Sequence, residues 1–295
     1  METKILYGKN LAEKILSGVR KEVKELKGKG VNPCLMTVQV GEDAASRVYL
    51  NSQQRQAETV GINCELLQLS AFTTQARLMR TLDNINEDPA INGIILHMPL
   101  PSALEARAAQ WRISHEKDIE GVTPYNLGRL FLGAPLLAPC TALAAVELIK
   151  STGVNLAGKE VTIIGSSDIV GKPCAIMLLK ENATVTVCHI GTYERGYLEE
   201  HVRRAEILVV AIGRPNTIRG EWIKEGAIVI DVGINAVGDK IVGDVEFEEA
   251  CKRAAFISPV PGGAGAVTVA FLLQNLVKAT KWQLAKRASG LEQVM

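Results

Sequence analysis

Segments of strand character alternate with segments of helix character along this chain of 295 residues, and this alternation most constrains its fold. Short apolar runs bounded by turn residues indicate buried strands, and apolar residues spaced by about four positions indicate amphipathic helices. In the first part of the chain the predicted strands are Cys34–Val40, Cys64–Leu69 and Ile91–Leu96, and the predicted helices are Asn10–Lys27, Ala44–Val60 and Thr73–Asn86. Such alternation predicts an α/β fold with a parallel sheet covered by helices on both faces.

A second alternating series begins after Pro139 and indicates a Rossmann-like nucleotide-binding domain. Strand Glu160–Ile164 runs directly into a turn at Gly165. The predicted helices are Thr141–Lys150, Gly171–Lys180 and Thr268–Leu284, and the remaining predicted strands are Thr184–Cys188, Ile207–Ile212 and Ala227–Val232. The last helix carries an apolar stripe, which predicts that one of its faces is buried.

Composition restricts the ligands that the chain is expected to bind. A hydrophobic content of 47% with 22% charged residues is typical of a globular protein, and the length is sufficient for two domains. The formal net charge of +1 gives no electrostatic reason to expect a nucleic acid or a membrane surface as partner. We therefore expect small-molecule ligands.

The amino-terminal residues and the cysteines predict a cytoplasmic protein without a metal centre. The first ten residues lack the long apolar core of a signal peptide, and no apolar run approaches the ~20 residues that a spanning helix needs. The six cysteines show no CxxC spacing, so neither a zinc site nor a disulfide scaffold is indicated.

The turn from Gly165 to Gly171 lies between a predicted strand and a predicted helix. In that position backbone N–H groups and the helix dipole can hold a pyrophosphate. The spacing is G-x-x-x-x-x-G, which differs from the usual dinucleotide fingerprint, so a plain turn without a ligand is the alternative.

A second glycine-rich segment, Pro259 to Gly265, contains two prolines and three glycines between apolar residues. These residues favour a rigid loop with little side-chain bulk, against which a flat ligand could lie. A tight turn between two elements is the alternative, because proline and glycine are the usual turn residues.

About ten motifs in one fixed order carry a family resemblance. They include Val40-Gly41-Glu42-Asp43-Ala44-Ala45-Ser46, Gly93-Ile94-Ile95-Leu96, Pro99-Leu100-Pro101, Lys117-Asp118-Ile119-Glu120-Gly121, Asn126-Leu127-Gly128-Arg129-Leu130, Pro139-Cys140-Thr141, Ile169-Val170-Gly171-Lys172-Pro173 and Asp231-Val232-Gly233-Ile234-Asn235. Over roughly residues 5 to 280 the chain resembles the 5,10-methylenetetrahydrofolate dehydrogenase/cyclohydrolase family, the FolD-type enzymes of one-carbon metabolism.

The resemblance implies two domains and a homodimer. Residues 1–138 and 268–295 would form an α/β folate-binding catalytic domain, to which the carboxyl-terminal helix returns. Residues 139–267 would form the Rossmann-like NAD(P)-binding domain. The implied ligands are tetrahydrofolate derivatives and NAD, with NADP as the alternative cofactor.

The resemblance also implies the site residues. The catalytic positions are Tyr49, Gln53, His97 and Glu120. The substrate-binding positions are Tyr49, Gln53, Leu96, His97, Met98, Glu120, Pro261, Gly262, Gly263, Ala264 and Gly265. The cofactor-binding positions are Gly165, Ser166, Ser167, Ile169, Val170, Gly171, Ile190, Gly233, Ile234 and Thr268. No metal ligand is implied.

Two departures from the family pattern concern the cofactor. NADP-dependent members usually have arginine at the place of Ser166 and serine at that of Ile190, and these groups would hold the ribose phosphate. Their loss leaves that dianion without an obvious partner, which favours NAD. No acid that would select NAD ends strand Thr184–Cys188, since Glu194 lies later, and Arg195 is an alternative phosphate ligand.

Three further departures concern the reaction. Members with both activities have lysine, glutamine and aspartate at the places of Gln53, His97 and Glu120. Hydride transfer needs positioning alone, whereas hydrolysis of the methenyl product needs a titrating group, which an amide cannot supply. The prediction is a methylenetetrahydrofolate dehydrogenase with weak or lost cyclohydrolase activity. The alternatives are a non-catalytic folate- or nucleotide-binding paralogue and a bifunctional NADP enzyme in which His97 replaces the base.

Overall fold

A computed structural model describes residues 2–41, 53–238 and 240–289 of the chain. The chain divides into two compact units. We call residues 14–138 with 272–295 the three-stranded unit and residues 1–13 with 139–271 the six-stranded unit, after their sheets.

The helices and strands follow one another in an α/β order. From the amino terminus they are β1 (Lys4–Ile5), α1 (Lys9–Gly28), β2 (Cys34–Val40), α2 (described over 53–59), β3 (Asn63–Leu69), α3 (Gln75–Glu87), β4 (Gly93–Leu96), α4 (Ala106–Arg112), α5 (Pro124–Phe131) and α6 (Cys140–Ser151). They continue with β5 (Glu160–Ile164), α7 (Gly171–Lys180), β6 (Thr184–Cys188), α8 (Ile190–Glu194), α9 (Leu198–Arg204), β7 (Ile207–Val210), β8 (Ile228–Asp231), β9 (Asn235–Val237), β10 (Lys240–Val242), α10 (Phe247–Ala250), β11 (Phe256–Ile257) and α11 (Ala264–Ala288).

The three-stranded unit contains a parallel sheet in the order β3-β2-β4. An isolated parallel bridge joins Ile94 of β4 to Asp118, so the chain after Lys117 runs beside β4. Leu78 and Leu82 of α3 are fully buried in a hydrophobic cluster with residues of β2 and β4. Burial of a side chain of this size contributes roughly 1.5–3 kcal/mol to stability.

The six-stranded unit contains a parallel sheet in the order β1-β11-β8-β7-β5-β6. All residues of β7 and β8 are buried, as expected for parallel strands with helices on both faces. An antiparallel hairpin of β9 and β10 follows β8. The predicted parallel α/β class and the Rossmann-like character of this unit are confirmed.

The unit bounds differ from the predicted domain bounds at the amino terminus. Residues 1–13 lie in the six-stranded unit because β1 pairs with β11 and the N–H of Leu6 donates to the carbonyl of Ile257 over 2.7 Å. Strands of two residues have no readable periodicity, so neither β1 nor β11 could be predicted.

The carboxyl-terminal part of α11, from Leu272, belongs to the three-stranded unit. Its buried Asn275 donates from Nδ2 to the carbonyl oxygens of Ile119 and Ala138, over 2.9 and 3.0 Å. These bonds hold the turn after residue 118 and the end of the segment that precedes α6. None of the described helices is both long and apolar enough to cross a membrane.

We expect Asn275→Ala to lower the free energy of unfolding by about 2–4 kcal/mol, because two buried carbonyl groups lose their donor. Chemical denaturation monitored by circular dichroism measures this change. The exposed Lys24 of α1 in the same unit provides the control, and Lys24→Ala is expected to change stability by less than about 0.5 kcal/mol. Equal effects of the two substitutions would contradict this prediction.

Candidate active site

The carboxyl ends of the strands in the three-stranded unit bring two of the predicted catalytic residues to one edge. The N–H of His97, directly after β4, donates to the carbonyl of Val38 over 2.9 Å. Glu120 follows Asp118, which is bridged to β4. Gln53 lies in α2, the helix that follows β2. Tyr49 lies outside the described residues.

The buried carboxylate of Asp118 shapes the turn that contains Glu120. Its Oδ1 accepts hydrogen bonds from the N–H groups of Gly121 and Val122, over 3.0 and 3.2 Å. Its Oδ2 accepts from the N–H and the hydroxyl of Thr123 and from Nδ2 of Asn126, over 2.8, 2.7 and 2.8 Å. The backbone of residues 118–123 therefore wraps around this carboxylate.

Gly121 is required in this turn for a steric reason. Its φ of +73° is in the left-handed region, and a Cβ atom there would lie 2.4 Å from the carbonyl carbon of Ala138. The glycine of the motif Lys117-Asp118-Ile119-Glu120-Gly121 thus allows two backbone segments to approach closely.

Glu120 is half-buried and forms no hydrogen bond or ion pair with another described residue. Desolvation, and to a smaller extent the negative charge of Asp118, raise the pKa of its carboxyl group to about 8. Glu120 therefore exchanges a proton near neutral pH, unlike an ordinary glutamate.

Gln53 is only 5% exposed. Among the described residues its side-chain oxygen Oε1 has no hydrogen-bond donor. A buried amide oxygen without a donor is costly in a folded protein, so this atom is suited to accept a hydrogen bond from a ligand. The amide does not titrate, as the sequence indicated.

The role of Lys117 could not be predicted from the sequence. Its side chain is buried, and Nζ donates to the carbonyl oxygens of Ile85 and Asp88, over 2.9 and 2.6 Å. Desolvation lowers its pKa to about 8. Lys117 thereby joins the end of α3 to the turn of Asp118, a role that its place in a conspicuous motif suggested but did not define.

Two predicted substrate contacts beside His97 differ in accessibility. The side chain of Leu96 is buried in the hydrophobic core, so it is available to a ligand only through its backbone. Met98 is 36% exposed and precedes Pro99. Leu96 is the last residue of β4, all of whose residues are buried, whereas Met98 lies beyond the end of the strand.

In the six-stranded unit, the turn Gly165–Gly171 joins β5 to α7. A Cβ atom on Gly165, whose φ is +114°, would lie 2.2 Å from the carbonyl oxygen of Ala211, and one on Gly171 would lie 1.9 Å from the carbonyl oxygen of Gly165. Both glycines are therefore needed for close packing. No side chain caps the amino terminus of α7. The N–H of Lys172 donates to the carbonyl of Ser167 over 3.1 Å and Pro173 has no N–H, so in the first three residues of the helix the N–H of Gly171 is the one suited to an anion.

The other predicted residues of this turn differ in exposure and hydrogen bonding. Ser166 is half-buried and Ile169 is 49% exposed, whereas Val170 is buried. The hydroxyl of Ser167 accepts from the N–H of Val170 over 3.1 Å, which stabilises the turn itself.

A cavity of about 190 Å³ lies beside the carboxyl ends of β5 and β6. It is lined by Ile164, His189, Ile190, Tyr193, Leu198, Ile212, Arg214 and Thr217. His189 is a helix cap, since its Nδ1 accepts from the N–H of Gly191. Arg195, the alternative phosphate ligand, does not line the cavity, and its guanidinium lies 5.5 Å from the ring centre of Tyr197.

Three further predicted cofactor positions are Gly233, Ile234 and Thr268. The N–H of Gly233 donates to Oδ1 of Asp231, so it is used within the protein, whereas the side chain of Ile234 is 65% exposed. The hydroxyl of Thr268 donates to the carbonyl of Ala264 over 3.0 Å in the first turns of α11. The described residues contain no group of His, Cys, Asp or Glu suited to hold a metal ion.

The loop Pro261–Gly265 lies in the six-stranded unit and leads into α11, which begins at Ala264. The carbonyl of Gly262 accepts from the N–H of Gly8, and Gly263 donates to the carbonyl of Pro259, over 2.8 and 2.9 Å. A Cβ atom on Gly263 would lie 2.6 Å from that same carbonyl oxygen. The backbone of this loop is thus fixed within its own unit.

Two family models match the chain. The model of the tetrahydrofolate dehydrogenase/cyclohydrolase catalytic domain matches residues 6–120, and that of the NAD(P)-binding domain of the same family matches residues 139–284. The chain belongs to the tetrahydrofolate dehydrogenase/cyclohydrolase family. The resemblance found in the sequence is thereby confirmed.

Individual members of the family are similar over nearly their full length. The bifunctional protein FolD of Pelobacter propionicus is 47% identical over 283 residues, which are 96% of this chain and 99% of the relative. That of Bacillus subtilis is 45% identical over 286 residues, with 97% and 100% covered. The crystal structure of the Trypanosoma brucei methylenetetrahydrofolate dehydrogenase-cyclohydrolase, complexed with NADP and an inhibitor, is 39% identical with a TM-score of 0.92 and covers 96% and 99% of the two chains.

The glycines of the Pro261–Gly265 loop allow a test of ligand contact. A Cβ atom on Gly265 would meet no atom within 4 Å, so we expect Gly265→Val to fold normally and to lose activity if a ligand lies against the loop. Gly263→Val is the matched control and is expected to destabilise the protein, because its side chain collides with backbone. Thermal unfolding and folate oxidation by each variant measure the two effects. Full activity of Gly265→Val would contradict the contact.

Proposed function

We propose that this protein oxidises 5,10-methylenetetrahydrofolate to 5,10-methenyltetrahydrofolate with a nicotinamide dinucleotide as hydride acceptor. The observation that carries the proposal is the tightly packed glycine turn Gly165–Gly171 between β5 and the uncapped amino terminus of α7, which lies within the residues that match an NAD(P)-binding domain. The tetrahydrofolate dehydrogenase/cyclohydrolase family, to which the chain belongs, supports a folate substrate. A homodimer in the cytoplasm remains a prediction.

Hydride transfer makes modest demands on the side chains around the folate. The bridging carbon gives a hydride to the nicotinamide and becomes part of a methenyl cation, so the protein must mainly hold the two reactants in position. Residues that accept hydrogen bonds without donating a proton are sufficient for this step. Gln53 is such an acceptor, since its Oε1 has no donor among the described residues.

The preference for NAD stays a prediction that rests on Ser166 and Ile190. Ile190 is 53% exposed and lines the cavity beside β6, where an apolar side chain offers no donor to a ribose phosphate. The Trypanosoma brucei relative is a complex with NADP. Arg214 is the cationic side chain of the cavity lining and is the phosphate ligand to consider if NADP is used.

We expect a higher kcat/KM with NAD than with NADP when methylenetetrahydrofolate is the substrate. The reason is that position 166 is serine and offers no cationic side chain to the ribose phosphate of NADP. Formation of the reduced nicotinamide and of the methenyl product, followed by absorbance, measures both reactions. Ser166→Arg should shift the preference towards NADP by about 1.5–3 kcal/mol, the value of a hydrogen bond to a charged group.

Arg195→Ala is the control for that experiment and should leave the preference unchanged, because its guanidinium stacks near Tyr197. Equal or better use of NADP by the native protein would contradict the NAD preference. Absence of turnover with both cofactors would contradict the dehydrogenase function itself and favour a non-catalytic paralogue.

A second candidate function is hydrolysis of the methenyl product. The raised pKa of the Glu120 carboxyl group favours this function. The substitutions at Gln53, His97 and Glu120 predict that this activity is weak or lost, whereas the relatives are named bifunctional and support the alternative in which it is retained. Water must lose a proton as it attacks, so a group that titrates near neutrality is needed. Glu120, whose pKa is raised to about 8, can accept the proton from water, whereas the amide of Gln53 cannot.

If Glu120 is the base, hydrolysis should increase as pH rises through about 8, because the carboxylate form removes the proton from water. Glu120→Gln should abolish this rise and lower the rate by roughly 100-fold, a typical contribution of general base catalysis. The decay of the methenyl absorbance at a series of pH values measures it. An unchanged profile in the variant would exclude Glu120 and direct attention to His97.

The same substitution has a predicted effect on stability. The pKa of Glu120 is raised from its ordinary value of 4.5, so its ionisation opposes folding, and stability is lost as pH rises from about 4.5 through 8. This loss should be absent in Glu120→Gln.

A double variant tests the lost base directly. When Gln53→Lys is combined with Glu120→Gln, a buried lysine of lowered pKa is expected to restore hydrolysis.

A further inference from the structure

Two fully enclosed carboxylates lie at the carboxyl ends of β7 and β8 in the six-stranded unit. Asp231 is 3% exposed and Asp244 is 0% exposed. Their carboxylate oxygens accept hydrogen bonds from backbone N–H groups and from one side-chain amide. Neither forms an ion pair with another described residue, so their charges are stabilised by these donors.

Asp244 holds the loop that follows β7. Its Oδ2 accepts from the N–H groups of Ile212 and Gly213, over 2.7 and 3.0 Å. Its Oδ1 accepts from the N–H of Arg214 and from Nδ2 of Asn235, over 2.9 and 2.8 Å. One side chain thus fixes three consecutive residues after β7 and the first residue of β9.

Asp231 holds the loop that follows β8. Its Oδ1 accepts from the N–H groups of Gly233 and Asp244, over 3.0 and 3.1 Å, and its Oδ2 accepts from that of Val245 over 2.9 Å. The N–H of Asp231 itself donates to the hydroxyl of Ser258 over 2.9 Å. The two carboxylates are therefore joined through the backbone of Asp244.

Two glycines make room for these carboxylates. A Cβ atom on Gly233 would lie 2.1 Å from Cγ of Asp244, and one on Gly243 would lie 2.0 Å from Oδ2 of Asp231. The loop after β8 is thus packed directly against the carboxylate that holds the loop after β7, and the backbone that precedes Asp244 is packed against the carboxylate of Asp231. A small movement of either carboxylate would displace the backbone of both loops.

Both loops belong to the edge at which a dinucleotide binds in sheets of this kind. Ile212 and Arg214 line the cavity beside β5 and β6, and Ile234 is exposed at the carboxyl end of β8. Ligands of open parallel sheets bind outside the carboxyl ends of the strands. The residues that face the ligand are therefore placed by carboxylates that do not face it.

We propose that Asp231 and Asp244 are positioning residues for the dinucleotide, and that they act by fixing the loops after β7 and β8. The inference rests on the proposed function, because it takes the ligand to be a nicotinamide dinucleotide. The carboxylates touch neither the ligand nor the reacting atoms in this role.

The experiment compares dinucleotide affinity in two variants of buried carboxylates. In Asp244→Asn an amide N–H₂ replaces an acceptor of backbone N–H groups, so the loop 212–214 should move. We expect the Kd for NAD, NADP and 5′-AMP, measured by calorimetry on the full-length protein, to rise about tenfold or more, since small displacements in a site are costly. The KM for methylenetetrahydrofolate should change much less.

Asp118→Asn is the matched control, because Asp118 is also a buried carboxylate that holds backbone N–H groups, in the three-stranded unit. It should lose comparable thermal stability and keep the native Kd for the dinucleotide. If Asp244→Asn loses stability to the same extent and still binds with native affinity, the carboxylate is only structural and the inference is overturned.

If Asp244→Asn does not fold, Asn235→Ala tests whether Asp244 positions the dinucleotide. Asn235→Ala removes one hydrogen-bond donor from Asp244 and leaves the carboxylate in place. A weakened dinucleotide affinity supports positioning, and a native affinity overturns it. Absence of NAD and NADP binding by the native protein would overturn the proposed function and this inference together. Native binding that Asp244→Asn leaves unchanged overturns the inference alone.

Discussion

Buried carboxylates that accept hydrogen bonds from backbone N–H groups define the loops at the carboxyl ends of the strands in both units. Asp118 does so in the three-stranded unit, and Asp231 and Asp244 do so in the six-stranded unit. A buried N–H without an acceptor is costly, and a carboxylate can accept several such bonds from successive residues. Each loop therefore has one preferred conformation, which a ligand site needs.

The sequence predicted several elements with accurate bounds because each carries a clear apolar run or helical spacing between turn residues. The bounds of β2, β5, β6 and α7 agree with those of the predicted elements. Short apolar runs and helical spacing are sufficient for such segments. The helices α4, α5, α8 and α9, of five to eight residues, were not predicted, because two turns carry too little periodicity.

The candidate site could be predicted only in part, and for a physical reason. Glycines such as Gly165 and Gly171 are visible in the sequence because few other residues fit a tight turn. The importance of Asp244 was not visible, because its partners lie some 30 residues away in the chain and are backbone groups that any residue could supply. The pKa of Glu120 likewise depends on burial and on Asp118, which spacing alone does not quantify.

The contacts of Gly233 with Asp244 and of Gly243 with Asp231 have a consequence for how such sequences diverge. Any side chain at position 233 would occupy the space of the carboxylate at 244, and the same holds for positions 243 and 231. A single exchange at any of the four positions either introduces a collision or leaves buried N–H groups without an acceptor. Such positions can change only in pairs, so among related proteins we expect them to covary or to remain invariant as a group.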